Sequence, residues 1–126
     1  MKKEISAVCL LVLIFCFALI NISAIKKLTG EIIEFVESAE LDALGGNWEG
    51  AEQNAMAALE KWNQKGTYTQ IVLRHEEIAT ATDAIYGMLK EIYSQNEGGV
   101  KGAKCAIVAQ MENLSSYEQI KLGSIF

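Results

Sequence analysis

The chain has 126 residues, a net charge of −5, no proline, one histidine and three cysteines, and 51% of it is hydrophobic. Setting aside Lys2, Lys3 and Glu4 leaves nine basic and fifteen acidic residues, net −6. That balance argues against nucleic acid or anionic lipid as a partner, because phosphate demands an excess of Lys and Arg.

The first element is an apolar run. Ile5 to Ile25 contains no charged residue and is flanked by Met1-Lys2-Lys3-Glu4 and by Lys26-Lys27. About 20 apolar residues at about 1.5 Å each match a hydrocarbon core of about 30 Å, so residues 1–25 read as a transmembrane anchor. The alternative is a cleaved secretory signal with a cut after Ala24. Against it, the run exceeds the usual apolar region of about 7–15 residues, and Ile22 is a tolerated rather than preferred residue before the cut. The flanking basic charges favour a cytoplasmic N-terminus by a narrow margin, which puts residues 26–126 outside the cytoplasm, tethered or, after cleavage, secreted. Cys9 and Cys16, seven apart, share a helical face and read as small apolar packers. Cys105 is the only cysteine beyond them, so no disulfide forms within the domain, and an oxidising compartment suits it if that thiol is buried.

Glycine pairs and single glycines divide the remainder into four stretches with helical spacing of apolar residues. The first helix is expected from about Lys26 to Leu44, with Leu28, Ile32, Phe35 or Val36, and Ala39 on one face. Only Gly30 weakens its continuity with the span. Gly45-Gly46 then supplies a left-handed stop and Asn47 an N-cap, with Glu49 in the first turn of helix two. The inward seam of that helix is Trp48, Ala51 or Glu52, Ala55, Leu59 and Trp62. Thr67-Tyr68-Thr69-Gln70 has the form of a capping box for helix three, whose seam is Ile71, His75, Ile78, Thr82, Ile85, Leu89 and Ile92. Helix four is expected from about Val100 to Leu114, without a good side-chain cap, on a face of Val100, Ala103, Ile107, Met111 and Leu114. Ser115-Ser116-Tyr117-Glu118 repeats the capping-box form and predicts a separate short last turn, after which the chain ends on the apolar pair Ile125-Phe126. Four amphipathic segments on short connections predict an all-α protein: an N-terminal transmembrane helix followed by a small antiparallel bundle of about four helices.

Chemistry-bearing motifs are sparse. His75 falls on the apolar seam, where a buried imidazole needs partners for both nitrogens. The expectation is a satisfied core histidine that fixes helix register, with a pH-sensing or small-ligand role as the alternative. His75-Glu76-Glu77-Ile78-Ala79 is not a zinc-protease motif, since position 79 would have to be histidine. One His and one Cys beyond the anchor are too few for a structural zinc site or a di-iron bundle. Glu31, Glu34, Glu37, Glu40 and Asp42 read as an exposed acidic helix face rather than a calcium site. There is no Gly-x-Ser-x-Gly elbow and no phosphate loop, so neither an enzyme nor a cofactor is expected.

The anchor, Asn47-Trp48-Glu49-Gly50-Ala51, Glu60-Lys61-Trp62, Arg74-His75-Glu76-Glu77-Ile78 and the terminal Leu122-Gly123-Ser124-Ile125-Phe126 together resemble domain-of-unknown-function family 4363 over nearly the whole length. The resemblance implies a small bacterial membrane-anchored helical protein, and supplies no substrate, cofactor or catalytic residue. The expected function is therefore a membrane-tethered, non-enzymatic module that binds another membrane or envelope protein through the bundle surface or the apolar C-terminus.

Overall fold

The computed structural model describes residues 1–66 and 75–125, with side chains described as far as Ser116. The capping-box pattern at Thr67 to Gln70, Ile71, and the side chains of Ile125 and Phe126 lie outside the described residues.

Four helices, α1 (Lys2–Leu44), α2 (Trp48–Gln64), α3 (His75–Tyr93) and α4 (Glu97–Ile125), make up the described structure. α1 packs on α2 and α4, and α3 packs on the same two, which closes a ring of four antiparallel helices. The apolar run and the first domain helix are one continuous 43-residue helix, about 65 Å long. Gly30, the residue expected to weaken it, is exposed, with open space where a Cβ would stand. Its propensity cost of about 1 kcal/mol is offset by burial of Leu28, Thr29 and Ile32 around it. Thr29 is the one polar residue in this stripe, and its hydroxyl donates to the Lys26 carbonyl at 3.1 Å.

The two halves of α1 differ in what surrounds them. From Ile5 to Ile20 the large apolar side chains are exposed, whereas Ile25, Leu28, Ile32, Val36, Ala39 and Ala43 form a buried stripe against the bundle. Of the two candidates for one seam position, Val36 is fully buried and Phe35 packs at the margin. α1 ends at Gly45-Gly46, where Gly46 takes φ of +81°, a conformation costly for a residue with a Cβ. Asn47 then caps α2, its side-chain oxygen accepting from the Gly50 N–H at 3.0 Å. In the antiparallel hairpin that follows, the Asn54 amide of α2 donates to Asp42 of α1 at 2.7 Å, and the buried residues beside that bond, Ala39, Ala43, Ala51 and Ala55, are small. Toward the apolar run the buried side chains are larger: Trp62, Leu28 and Ile32.

Two expectations about α4 are corrected. The turn after α3 is Ser94 to Asn96, with Gln95 at φ of +52°, and Gly98-Gly99 lies inside the first turn of α4. Asn96 is the missing cap: its side-chain oxygen accepts from the Gly99 N–H at 3.1 Å. Nor does the pattern at Ser115 start a new element, because α4 runs unbroken from Glu97 to Ile125. A capping box needs the chain to leave the helix first, and no glycine or proline stands beside Leu114 to make it do so. Val100, Ile107, Met111 and Leu114 are buried as the spacing predicts, with Ala103 at the margin.

Candidate functional site

Trp62 is the largest fully buried side chain, 2% exposed. Its indole N–H donates to Thr82 Oγ1 at 2.9 Å, and the Thr82 hydroxyl donates to the Ile78 carbonyl at 2.8 Å. The polar tip of the aromatic ring is thus satisfied by the facing helix, and the pair sets the register of α2 on α3. Trp48, at the start of α2, is half-buried and packs at the edge of the same core. Both indoles are structural in placement.

His75 is not on a buried seam. It is exposed in the first turn of α3, as is Glu76, whose backbone carbonyl accepts from the Thr80 hydroxyl at 2.8 Å. The seam itself is real, since Ala81, Ile85, Met88, Leu89 and Ile92 are buried and Ile78 packs at the margin. Trp62 meets α3 at Thr82, and α2 extends only about 3 Å beyond Trp62, whereas His75 lies about 10 Å up α3 from Thr82. The helical period continues to His75, but the described part of α2 ends short of it.

The acidic series on α1 is divided among separate tasks. Glu31 pairs with Lys61 at 3.1 Å, Glu40 approaches Lys104 at 3.9 Å, and Asp42 accepts from the Asn54 amide at 2.7 Å, while Glu34 and Glu37 are exposed. Among the described residues no three His, Cys, Asp or Glu side chains come together as a metal-holding group. All three cysteines are exposed free thiols, so the condition of burial under which Cys105 would suit an oxidising compartment is not met. Cys105 falls between the buried positions Val100 and Ile107 in sequence but on the outward side of α4.

Two features remain as candidate sites. At the end of the bundle away from the apolar run, Leu41 (69% exposed), Leu44 and Tyr93 present large apolar groups to solvent. Tyr93 is tied across to α2 by its hydroxyl, which donates to Glu52 at 3.2 Å. That carboxylate keeps the proton on Tyr93 and raises its pKa above the ordinary 10.0. At the opposite end, a groove of about 310 Å³ between α1 and α2 is lined by Ala24, Lys27, Leu28, Glu31, Lys61 and Lys65. Lys27 and Glu31 are four apart on α1, and Lys61 lies on α2 with Lys65 at the cap that ends it, so each helix brings one pair to the groove.

The model of one family, the Domain of unknown function (DUF4363), matches residues 19–125. The chain belongs to this family. No curated protein and no solved structure matches it. The segment shared with other DUF4363 chains begins within the apolar run, and so includes the last part of that run together with the bundle.

Proposed function

We propose that this DUF4363 chain is a single-pass membrane protein whose helical domain serves as a non-enzymatic docking module for another membrane or envelope protein. The observation that carries the reading is the continuity of α1. One helix carries an exposed apolar segment long enough to cross a bilayer and then becomes a packed member of the bundle. Retention rather than cleavage is favoured by the turns next to the possible cut. Asn21, Ile22 and Ala24 are partly buried and Ala24 lines the groove against α2, so a cut after Ala24 would strip packed residues from the domain. A span that enters the bundle without a hinge holds the domain at the membrane surface and turns its far end, with Leu41, Leu44 and Tyr93, toward whatever approaches from that side. The alternative centred on His75 as a buried pH or ligand sensor loses its premise with that residue exposed in the first turn of α3.

Orientation is read with Cys105, an exposed thiol well clear of the span. With Cys9 and Cys16 changed to serine, a membrane-impermeant maleimide is expected to label Cys105 in intact cells. Protection until the membrane is opened would place the domain in the cytoplasm. The docking role is tested by crosslinking in native membranes, with photoreactive groups at positions 41 and 44. A discrete, reproducible adduct is expected, and recovery of the monomer alone across growth conditions would count against the role.

A further inference from the structure

The groove between α1 and α2 carries a second binding function. We infer that it seats the phosphate-bearing headgroup of an anionic membrane phospholipid, an inference that rests on the tethered reading above. The acidic total of the domain conceals where its charges fall. Three lysines, Lys27, Lys61 and Lys65, meet at one groove with a single carboxylate, Glu31, for a local charge of +2 in a segment of net −6.

Position decides the ligand. Taking Ile25 as the end of the apolar run, Lys27 stands about 3 Å and Glu31 about 9 Å beyond it along the helix axis. Glu31 is paired with Lys61 at 3.1 Å, and α2 runs back toward the span, which brings Lys65 to about the level of Lys27. The headgroup layer on each side of a bilayer is about 5–7 Å thick, so Lys27 and Lys65 stand at the depth of lipid phosphates, with Lys61 just above them at the mouth of the groove. The groove wall continues toward the bilayer through Leu28 and Ala24, apolar surface that suits the glycerol and upper acyl chain of a lipid and has no counterpart in a free phosphate ion. Lysine stems suit this setting because their methylenes lie along apolar surface while the charge reaches water or phosphate. Glu31 holds Lys61 partly neutralised, and in this arrangement it limits the site's affinity.

The test is native mass spectrometry of the full chain, reconstituted with equal amounts of phosphatidylglycerol and phosphatidylcholine and released in mild detergent. The wild type is expected to retain phosphatidylglycerol preferentially. K61Q/K65Q is expected to lose that preference by about fivefold per lysine removed, and E31Q to strengthen it by freeing Lys61. Far-ultraviolet circular dichroism of each variant, with E31Q as the oppositely signed control, separates loss of the site from loss of fold. Equal retention of both lipids by the wild type, undiminished phosphatidylglycerol on K61Q/K65Q, or displacement of the lipid by millimolar inorganic phosphate would overturn the inference. Flotation on a sucrose gradient separates this from the tethered reading. A wild type that fails to float with vesicles defeats the anchor itself, whereas one that floats without lipid preference defeats only the headgroup site.

Discussion

Replacing Trp62 tests how the bundle is held together. The indole is 2% exposed, in the same buried cluster as Leu28, Ile32, Leu59 and Ile85. Trp62→Ala removes the ring and leaves a cavity, for an expected loss of about 3–5 kcal/mol. Trp62→Phe keeps most of the apolar volume and deletes the N–H, while the Thr82 hydroxyl still has the Ile78 carbonyl to donate to, so about 1–2 kcal/mol is expected. Thr82→Val attacks the same bond from the other side and strands the buried indole N–H at about 1–3 kcal/mol. Combining Trp62→Phe with Thr82→Val should cost less than the two separately, with a coupling of about 1 kcal/mol, because no donor is then left without an acceptor. The assay is guanidinium unfolding of the full chain in detergent, followed by far-ultraviolet circular dichroism, in which the span contributes a constant helical background. A loss below about 0.5 kcal/mol for Trp62→Ala, or strict additivity in the double variant, would refute the placement of this ring.

The helix junctions and the Tyr93 contact give further expectations. Asn47→Ala and Asn96→Ala should each destabilise by about 1 kcal/mol in the same unfolding assay, since each removes the side-chain acceptor of a first-turn N–H. Gly46→Ala should cost about 1–2 kcal/mol, because φ of +81° is strained for any residue with a Cβ, whereas Gly30→Ala, exposed and with open space at its Cβ, should stabilise by up to about 1 kcal/mol. For Tyr93, a folded pKa raised above the unfolded value means that the stabilisation from its hydrogen bond to Glu52 is fully present below the unfolded pKa and is lost as pH rises through the folded one. The difference in phenolate absorbance between wild type and Tyr93→Phe should titrate above 10.0, and Glu52→Gln should bring it back toward that value.

Local chemistry is legible in this sequence wherever a single stretch decides it. The corner at Gly45-Gly46-Asn47 needs one left-handed residue and one cap, and both are side by side in the chain. Seams of Leu28-Ile32-Val36 and Ile85-Leu89-Ile92 are equally local, since a helix period carries them. What depends on a second helix is not. The period on α3 runs on through His75 because nothing in that stretch tells where α2 stops. Asn96 escapes notice because the conspicuous glycine pair two residues later draws the break to itself, although Asn-Glu before an apolar-periodic run is the signal that would find it. The choices between Phe35 and Val36, and between Ala51 and Glu52, are settled only by packing, which buries Val36 and Ala51 and leaves Glu52 to accept from Tyr93. The basic groove is the least legible feature. Lys27 lies far in sequence from Lys61 and Lys65, and a net charge sums over the very separation that the fold creates.

The distribution of polarity along α1 links these observations. An exposed apolar segment suits lipid, the buried stripe beyond it suits the bundle, and the lysines stand where one gives way to the other. A short terminal helix appended by a flexible joint would leave the domain free to tumble, and a helix without a break does not. The proposed orientation of the far end and the proposed depth of the groove both rest on that continuity.

The intact mass of the chain recovered from carbonate-washed membranes tests this most directly. A mass that includes the residues before Ile25, found in the membrane pellet, is the predicted result. A mass corresponding to a chain that starts at Ile25, released into the soluble fraction, would contradict it.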